Sequence, residues 1–475
     1  MALTAVVSLF YDEGDTIHYV LTTLAGVAVG LLCKKLGERD KDPRMTRADS
    51  FMVVVMSWVV FSILGMIPYI TVAGMDVTSA FFETMSGFTT TGASTVTNIE
   101  SLPHALLFWR SATQWIGGLG IVVFSFALIP VYELKNSNIY FAEVSGLSQD
   151  KVRPKIGATA RRMLLVYLLL TSVCAALYWA GPMGIYDAVC HAFTTMSTGG
   201  FSTHTDSIAH FHSSYIEYVA SAFMIISSVN YSLYYYLSIR KQRIMTNDEE
   251  LRTFLVIVVV SLAVFMVLFY CVAADGNPSS YALPHGLEET FRTALFHVSS
   301  SVSGSGFAAT NTGHVAWEPL LWMPTLVLMA IGGCAGSTAG GIKVIRAIVC
   351  VKSILNEFIM QLHPRAVLGV RVSGHIVPSH MTRRTLAHIA LYAVLVVIGM
   401  LSFRLFGNDV DTALGCCVSM LSNSGSGIGV NGAAGNYAEV SAAGKWMLSF
   451  YMLVGRLEIF TVLFLFMPQY WKERK

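Results

Sequence analysis

The chain has 475 residues, of which 54% are hydrophobic and only 13% are charged. A soluble protein of this length carries more charge, so the composition excludes a water-soluble globular chain and indicates a membrane protein. Most of the 31 lysine and arginine residues lie in the C-terminal tail and in four linkers, Lys34–Arg47, Lys135–Arg162, Arg240–Arg252 and Lys343–Arg384. The positive-inside rule predicts that these segments are cytoplasmic, and binding of nucleic acid is not needed to explain them.

The N-terminal part, residues 1–47, is predicted to be a helix hairpin. Met1–Phe10 is about half as long as a membrane span and lacks the basic start and the cleavage site of a signal peptide. It indicates either a shortened first helix or a start codon assigned at the wrong position. Thr16–Cys33 is long enough to return to the cytoplasmic side.

Four later parts of the chain share one order of apolar runs, and we place them at residues 48–156, 157–248, 249–378 and 379–475. Each begins with a run long enough to cross a membrane: Phe51–Ile70, Met163–Ala180, Phe254–Val272 and Leu386–Phe403. A run of about a dozen residues follows, which is too short to cross. It starts near an acidic residue, as helix N-termini prefer, at Asp76, Asp187, Glu288 and Glu289, and Asp411. We expect a half-helix that enters the membrane and returns.

Each half-helix leads into a segment centred on a glycine, and these segments align without gaps on Gly92, Gly200, Gly306 and Gly425. Three residues earlier stands a hydroxyl residue, at Thr89, Ser197, Ser303 and Ser422. Twelve residues earlier stands alanine, at Ala80, Ala188, Ala294 and Ala413. Glycines that only pack helices together would not share these neighbours. The pattern therefore predicts four pseudo-repeats, each followed by another span.

The four segments are suited to binding a cation through backbone oxygens. Extended backbone with glycine and small hydroxyl residues can direct its carbonyl oxygens at a common axis, where they replace the hydration shell of an ion. The segments contain no carboxylate, which a calcium site would need, so a monovalent cation is expected. The predicted carbonyl ligands are Thr90, Thr91, Gly92, Thr198, Gly199, Gly200, Gly304, Ser305, Gly306, Asn423, Ser424 and Gly425.

Two further features lie inside predicted spans. Gly332–Gly341 interrupts a run from Leu320 to Val351, and each glycine there costs a helix about 1 kcal/mol relative to alanine. The helix is therefore expected to break at these glycines. The alternative is a tight crossing of two helices that needs small residues.

Arg456 lies in the last predicted span, Trp446–Met467, where an arginine costs at least about 2.5 kcal/mol to insert. It either pairs with Glu458 or approaches the pore wall.

Two histidines, His191 and His297, stand nine residues before their central glycines. They could relay protons, but side chains satisfied by neighbouring helices are favoured, because the other two repeats have no histidine there.

The motifs together resemble the Trk/Ktr/HKT superfamily of cation transporters, and within it the bacterial TrkH/TrkG potassium uptake subunits. They are TTTGAST, STGGFST, FWRSATQWIGGLG at 108–120, GGCAGSTAGGIK at 332–343 and GRLE at 455–458. The resemblance covers nearly the whole chain. It implies an all-α integral membrane protein of the bacterial cytoplasmic membrane, with potassium-channel-like repeats around a central pore. It also implies potassium as the transported ion. Members that admit sodium carry serine at one of the four central glycine positions, and all four are glycine here.

The resemblance further implies a gate and partners. The gate is an intramembrane loop below the filter, with Arg456 beside it, and its predicted residues are Gly332, Gly333, Gly336, Ser337, Thr338, Gly340 and Gly341. The implied assembly is a homodimer in which each chain has its own pore, controlled by TrkA, a cytosolic ring of RCK domains that binds NAD or ATP/ADP. This chain has no Walker-type loop and no GxGxxG segment opening a soluble helix, so no nucleotide is expected on it.

Two other functions remain open from the residues alone. An ion-coupled symporter could hold a solute at broken helices. An intramembrane hydrolase would need a serine and a histidine held together, gives no reason for four repeats, and has no GxSxG motif here.

Overall fold

The computed structural model describes residues 1–37, 47–133, 152–238, 242–274, 286–309, 319–427, 436–468 and 471. Parts of the predicted basic linkers, at 38–46, 134–151 and 239–241, and the tail from 472 onward lie outside the described residues.

An N-terminal helix hairpin precedes the first repeat. Helix α1 (Ala2–Phe10) has nine residues, and α2 (Thr16–Gly37) has 22. Glu13, in the turn between them, accepts hydrogen bonds from the backbone N–H groups of His104 at 2.5 Å and Ala105 at 3.0 Å. Both N–H groups lie at the start of the helix His104–Glu133, where the helix itself supplies no acceptor and a carboxylate is favourable. The hairpin is thereby joined to the first repeat.

The other helices follow the predicted order of span, half-helix, segment and second span. The first repeat contains α3 (Arg47–Gly65), α4 (Ile67–Thr71), α5 (Val77–Phe88) and α6 (His104–Glu133). The second contains α7 (Val152–Trp179), α8 (Ile185–Met196), α9 (Ser214–Ser227), α10 (Tyr231–Ser238) and α11 (Gln242–Asn247). The third contains α12 (Glu249–Ala274), α13 (Leu287–Ser303), α14 (Pro319–Ile331) and α15 (Val344–Leu362). The fourth contains α16 (Ser379–Leu405), α17 (Val410–Leu421), α18 (Ala442–Arg456) and α19 (Ile459–Leu463).

Short elements lie outside these helices. The described residues include 3₁₀ turns at Ile99–Ser101, Ser207–Phe211 and Phe464–Phe466. Strands β1 (Arg371–Val372) and β2 (His375–Ile376) form an antiparallel hairpin in which Arg371 lies opposite Ile376. The hairpin lies between α15 and α16, within the basic linker predicted to be cytoplasmic.

Among the described residues, five helical stretches, one of which joins α3 and α4, are long and apolar enough to cross a membrane: Thr16–Gly37, Asp49–Thr71, Arg161–Trp179, Glu249–Cys271 and Ser379–Leu405. No more than 28% of the most apolar window of each is buried inside the protein. Large aliphatic side chains such as Val259, which is 64% exposed, cover their outer faces. Such a surface is stable against lipid, which confirms the predicted integral membrane protein.

The half-helices α5, α8, α13 and α17 form the centre of the molecule. Three of them have 12 residues, whereas α13 has 17 and is longer than the expected dozen. Every residue of α5 from Ser79 to Phe88 is buried. Asp76 caps this helix, because its Oδ2 accepts the backbone N–H of Ser79 at 3.0 Å. Half-helices this short are tolerated at membrane depth because protein surrounds them.

The second spans of two repeats are broken where the sequence predicts continuous helices. In the second repeat α9 ends at Ser227 and α10 begins at Tyr231. The predicted last span, Trp446–Met467, is wrong as a single helix, because the chain bends by 117° after α18. At the first break, the Asn230 side chain accepts the Ser232 N–H at 2.9 Å, a local bond that competes with the helix. At the second break, Glu458 adopts a left-handed φ of 65°.

Candidate functional site

All four half-helices end in the same hydrogen-bonded turn. The residue two positions before each central glycine has positive φ: Thr90 (53°), Thr198 (55°), Gly304 (71°) and Asn423 (54°). The next residue donates its N–H to the carbonyl five residues back, over 2.8 Å for Thr91 to Ser86, 2.8 Å for Gly199 to Thr194, 3.1 Å for Ser305 to Ser300 and 2.8 Å for Ser424 to Ser419. This is a Schellman motif, which satisfies the last carbonyls of a helix. Its geometry costs a β-branched residue about 1–2 kcal/mol, so surrounding packing holds the two threonines there.

The central glycines bring the four segments into one closed ring. A Cβ atom on Gly92 would lie 1.9 Å from the carbonyl oxygen of Gly199. The equivalent distances are 1.7 Å from Gly200 to Ser305, 2.2 Å from Gly306 to Ser424 and 2.0 Å from Gly425 to Thr91. Each glycine therefore touches the residue before the central glycine of the next repeat, and the fourth repeat returns to the first. The repeats surround one axis in the order in which they occur in the sequence.

The ring excludes side chains at these positions for two reasons. The central glycines have φ values of 83°, 78°, 71° and 74°, which L-residues rarely adopt. In addition, a methyl group would overlap a backbone carbonyl of the neighbouring segment. Among the described residues there is no cluster of three or more His, Cys, Asp or Glu side chains that could hold a metal ion. A backbone carbonyl oxygen lies at each contact between neighbouring segments.

Side chains behind the segments hold them in place. Gln114 on α6 donates through Nε2 to Gly199 O at 2.8 Å, and its Oε1 accepts the N–H of Phe201 at 3.1 Å. The Tyr437 hydroxyl donates to Gly425 O at 3.0 Å. Asn423 Nδ2 donates to Thr91 Oγ1 at 3.1 Å, which links the fourth segment to the first. These bonds hold a carbonyl group in the second segment and one in the fourth, and they tie the Thr91 side chain of the first segment to the fourth.

The position nine residues before each central glycine also lies behind the segments. His191 is fully buried, with its Nδ1 2.8 Å from Asp187 O and its Nε2 3.0 Å from Ser202 Oγ. His297 Nε2 lies 2.9 Å from Thr325 Oγ1. Both histidines therefore have neighbouring hydrogen-bond partners, which agrees with the favoured interpretation. The first repeat carries Glu83 at this position and the fourth carries Cys416.

An outer cavity that is open to solvent lies above the ring. All four central glycines line it, together with residues that follow them in the first, second and fourth segments. Arg110, His204 and Tyr437 also contribute to its wall. Glu100, which follows the lining residue Ile99, accepts hydrogen bonds from the backbone and side chain of Thr205. Partial burial raises the pKa of Glu100, but these hydrogen bonds outweigh that effect and bring the pKa below its ordinary value.

The intramembrane loop, Gly332–Gly341, lies on the opposite side of the ring. A Cβ on Gly340 would lie 1.8 Å from Ser422 O, at the end of α17. Thr338 Oγ1 donates to Met196 O, at the end of α8, at 3.1 Å. The second and fourth repeats lie opposite each other in the ring. A loop that touches both half-helix ends therefore crosses beneath the axis.

Two cationic side chains hold this loop. Arg456 is 5% exposed and donates through Nη1 to Thr338 O at 2.7 Å and through Nη2 to Gly117 O at 3.4 Å. The Lys343 ammonium donates to Ala339 O. Glu458, the alternative partner of Arg456, pairs instead with Arg346 at 2.6 Å. Hydrogen bonds to carbonyl groups, including that of Thr338 in the loop, therefore satisfy the buried guanidinium of Arg456, whose partner the sequence left open.

Sequence reasoning gave no role to Glu83, Arg110, Gln114 or Tyr437. A signal existed for the first two, because a charged residue in an apolar membrane segment is costly and is retained for a reason. Gln114 lies within the FWRSATQWIGGLG motif, but nothing local shows which carbonyl it reaches. Tyr437 follows the fourth segment along the chain, and its contact depends on the tertiary fold alone.

Comparison with known proteins agrees with this architecture. The family model for TrkH, described as a cation transport protein, matches residues 18–473. The chain is 36% identical to the Trk system potassium uptake protein TrkH of Salmonella typhimurium, covering 100% of this chain and 96% of that protein. It is 32% identical to the Trk system potassium uptake protein TrkG of Escherichia coli, over 98% and 94% of the two chains. The crystal structure of the potassium transporter TrkH from Vibrio parahaemolyticus matches with a TM-score of 0.86 at 33% identity, over 99% of this chain and 95% of that one.

These relatives are transporters and not enzymes, and the similarity extends over the whole chain in both sequence and structure. The chain belongs to the TrkH family of cation transport proteins.

Proposed function

We propose that this chain carries potassium inward across the bacterial cytoplasmic membrane, along the axis enclosed by the four Gly-centred segments. The observation that carries the proposal is the closed ring, in which each central glycine touches the carbonyl group of the next repeat at a would-be Cβ distance of 1.7 to 2.2 Å. A ring of backbone oxygens can replace the water around a dehydrated cation. The potassium uptake named for the relatives supports the choice of ion.

The proposed ligands are the backbone carbonyls of the segments. Thr91, Gly199, Ser305 and Ser424 supply the layer that touches the central glycines, and those glycines supply the layer on the outer side. The left-handed residues Thr90, Thr198, Gly304 and Asn423 supply the inner layer. The C-termini of the half-helices add partial negative charge below it. The absence of carboxylates within the segments suits a monovalent ion, and glycine at all four central positions favours potassium over sodium.

The proposed gate is the intramembrane loop, with its glycines, Ser337 and Thr338. Its contacts with the ends of α8 and α17 support a closed inner end of the pathway. Arg456 and Lys343 hold the loop there through the carbonyls of Thr338 and Ala339. Opening then requires that these bonds break and that the loop leaves the axis.

Control from the cytoplasm is the remaining part of the proposal. The relatives are named as parts of a Trk system, which supports a multicomponent assembly. We place the nucleotide, NAD or ATP/ADP, on a TrkA-like RCK partner that docks on the basic cytoplasmic linkers, and expect a homodimer with one pore in each chain. Membrane potential alone can drive inward flux, since it supplies about 2.3 kcal/mol per charge per 100 mV.

Uptake of radioactive Rb⁺ by proteoliposomes tests this function. A potential that is negative inside should drive uptake, added K⁺ should compete, and neither a sodium nor a proton gradient should be required. A strict requirement for a gradient would favour the symporter. No uptake by correctly folded protein, together with no rescue of a potassium-uptake-deficient strain at limiting potassium, would refute the proposal.

A further inference from the structure

Two full charges are buried beside the ring, on the outer side of the proposed filter. Glu83 on α5 is 0% exposed and Arg110 on α6 is 1% exposed, and Glu83 Oε2 lies 3.5 Å from Arg110 Nη2. A buried ion pair is weak evidence for stability, because desolvation offsets the attraction of the charges. Its presence in an apolar segment points to a functional role.

The Glu83 carboxylate holds the first segment where it leaves the ring. Its Oε1 accepts a hydrogen bond from Ser94 Oγ at 2.8 Å and another from Thr95 Oγ1 at 3.1 Å. It also accepts the backbone N–H of Thr95. These residues follow Gly92 by two and three positions, so the carboxylate fixes the chain directly above the first central glycine.

The Arg110 guanidinium extends the connection to the second segment. Nη1 donates to Ser202 O at 3.2 Å, and Nη2 donates to Ser94 Oγ at 3.0 Å. The guanidinium carbon also lies 4.2 Å from the centre of the Phe201 ring, a cation–π contact. Phe201 and Ser202 directly follow Gly200. The Glu83–Arg110 pair thus joins the outer ends of two neighbouring segments.

The connection is not repeated in the other segments that the structure describes. At the position equivalent to Glu83, His191 reaches Ser202 Oγ, His297 reaches Thr325 on α14, and the fourth repeat has Cys416. The first repeat alone carries a charged group there. The ring is therefore held asymmetrically, with an ionic connection between the first and second repeats.

Arg110 also lines the outer cavity, where a lone positive charge would repel incoming cations. We propose that the Glu83–Arg110 pair determines cation affinity and selectivity at the outer mouth: it fixes the separation of the first and second segments, while Glu83 cancels the charge of Arg110. This inference rests on the proposed uptake function. Both residues are positioning residues, since they act through the backbone of the segments.

The test compares Glu83→Gln, Arg110→Gln and the double variant with the wild type in proteoliposomes. Glu83→Gln retains a hydrogen-bonding side chain but leaves Arg110 uncompensated, so the Rb⁺ concentration for half-maximal uptake should rise about tenfold. The double variant removes both charges and should recover most of that affinity, as expected of coupled residues. Its sodium-to-rubidium permeation ratio should stay above that of the wild type, because the connection between the segments is weakened.

The matched control is Glu217→Gln. Glu217 also pairs with an arginine, Arg292, at 3.6 Å and is 4% exposed, but it lies on α9, whereas Glu83 lies on the half-helix that leads into the first Gly-centred segment. This control should leave Rb⁺ affinity and selectivity unchanged.

The outcomes separate the inference from its alternatives. Wild-type affinity and selectivity in all three variants, with only a lower thermal stability, would overturn it and leave a structural role. A double variant as impaired in affinity as Glu83→Gln would also overturn it. If Glu83→Gln does not fold, the double variant decides, and a wild-type permeation ratio there would contradict the inference. Absence of Rb⁺ uptake by the wild type would instead refute the proposed function.

Discussion

Substitution of Gly200 by alanine tests the ring most sharply. The added Cβ would lie 1.7 Å from Ser305 O, although ordinary contacts are longer than 3.4 Å. The third segment would have to move by more than 1 Å, or the second would have to rotate. Both movements displace carbonyl groups that we propose as ligands.

The cost has two parts. An L-residue at a φ of 78° is strained by roughly 1–2 kcal/mol. The overlap adds about 1–3 kcal/mol, the usual effect of overpacking a close-packed site. If the overlap alone weakened ion binding in the ring, uptake would fall roughly 5- to 150-fold.

Gly74→Ala is the matched control for this prediction. Gly74 has a similar φ of 65°, but a Cβ there would meet no atom within 4 Å. Both variants carry the backbone strain, and only Gly200→Ala carries the overlap. Rb⁺ uptake and its inhibition by Na⁺ should change in Gly200→Ala and stay at wild-type values in Gly74→Ala. Equal uptake and equal selectivity in the two variants would refute the reasoning.

Three further predictions concern the gate and the outer mouth. Arg456→Gln removes a charge-assisted hydrogen bond to Thr338 O, worth about 1.5–3 kcal/mol, so basal Rb⁺ flux without a partner should rise; unchanged flux in a folded variant would exclude Arg456 from the gate. Gly340→Ala brings a methyl group to 1.8 Å from Ser422 O, which should displace the loop and also raise basal flux in single-channel or liposome recordings; a normally closed pathway would contradict this. Glu100→Gln should lower the free energy of unfolding by about 1 kcal/mol or less at pH 7, because the lost hydrogen bonds are partly exposed. Folding lowers the pKa of Glu100, so its contribution to the free energy of unfolding is present above the ordinary pKa of 4.5 and is lost as the pH falls below that value. The melting temperatures of the wild type and Glu100→Gln should therefore converge in acid. A difference that stays constant with pH would contradict the assignment.

The sequence predicted the repeated part of the site because repetition is visible without a fold. Hydroxyl residues at matched offsets before Gly92 and its three counterparts indicated one backbone conformation used four times. The positive φ values at those glycines and two residues earlier follow that pattern. The intramembrane loop was also detectable, since Gly332–Gly341 has no large side chain to pack a helix.

The rest depends on contacts between distant parts of the chain. The breaks after Ser227 and after Arg456 occur in apolar runs that read as continuous spans. The first of them is stabilised by the loop of the third repeat, since Cys334 N donates to Ser228 O and Tyr231 N donates to Gly336 O. Glu83 and Arg110 could be recognised as costly charges, but their pairing across two helices could not.

Anomalous diffraction from crystals soaked in Rb⁺ or Tl⁺ would locate the bound ion. We expect peaks on the axis, enclosed by the carbonyl groups of Thr91, Gly199, Ser305 and Ser424. Peaks only at acidic side chains of the outer cavity, with none inside the ring of a protein that transports Rb⁺, would contradict this expectation.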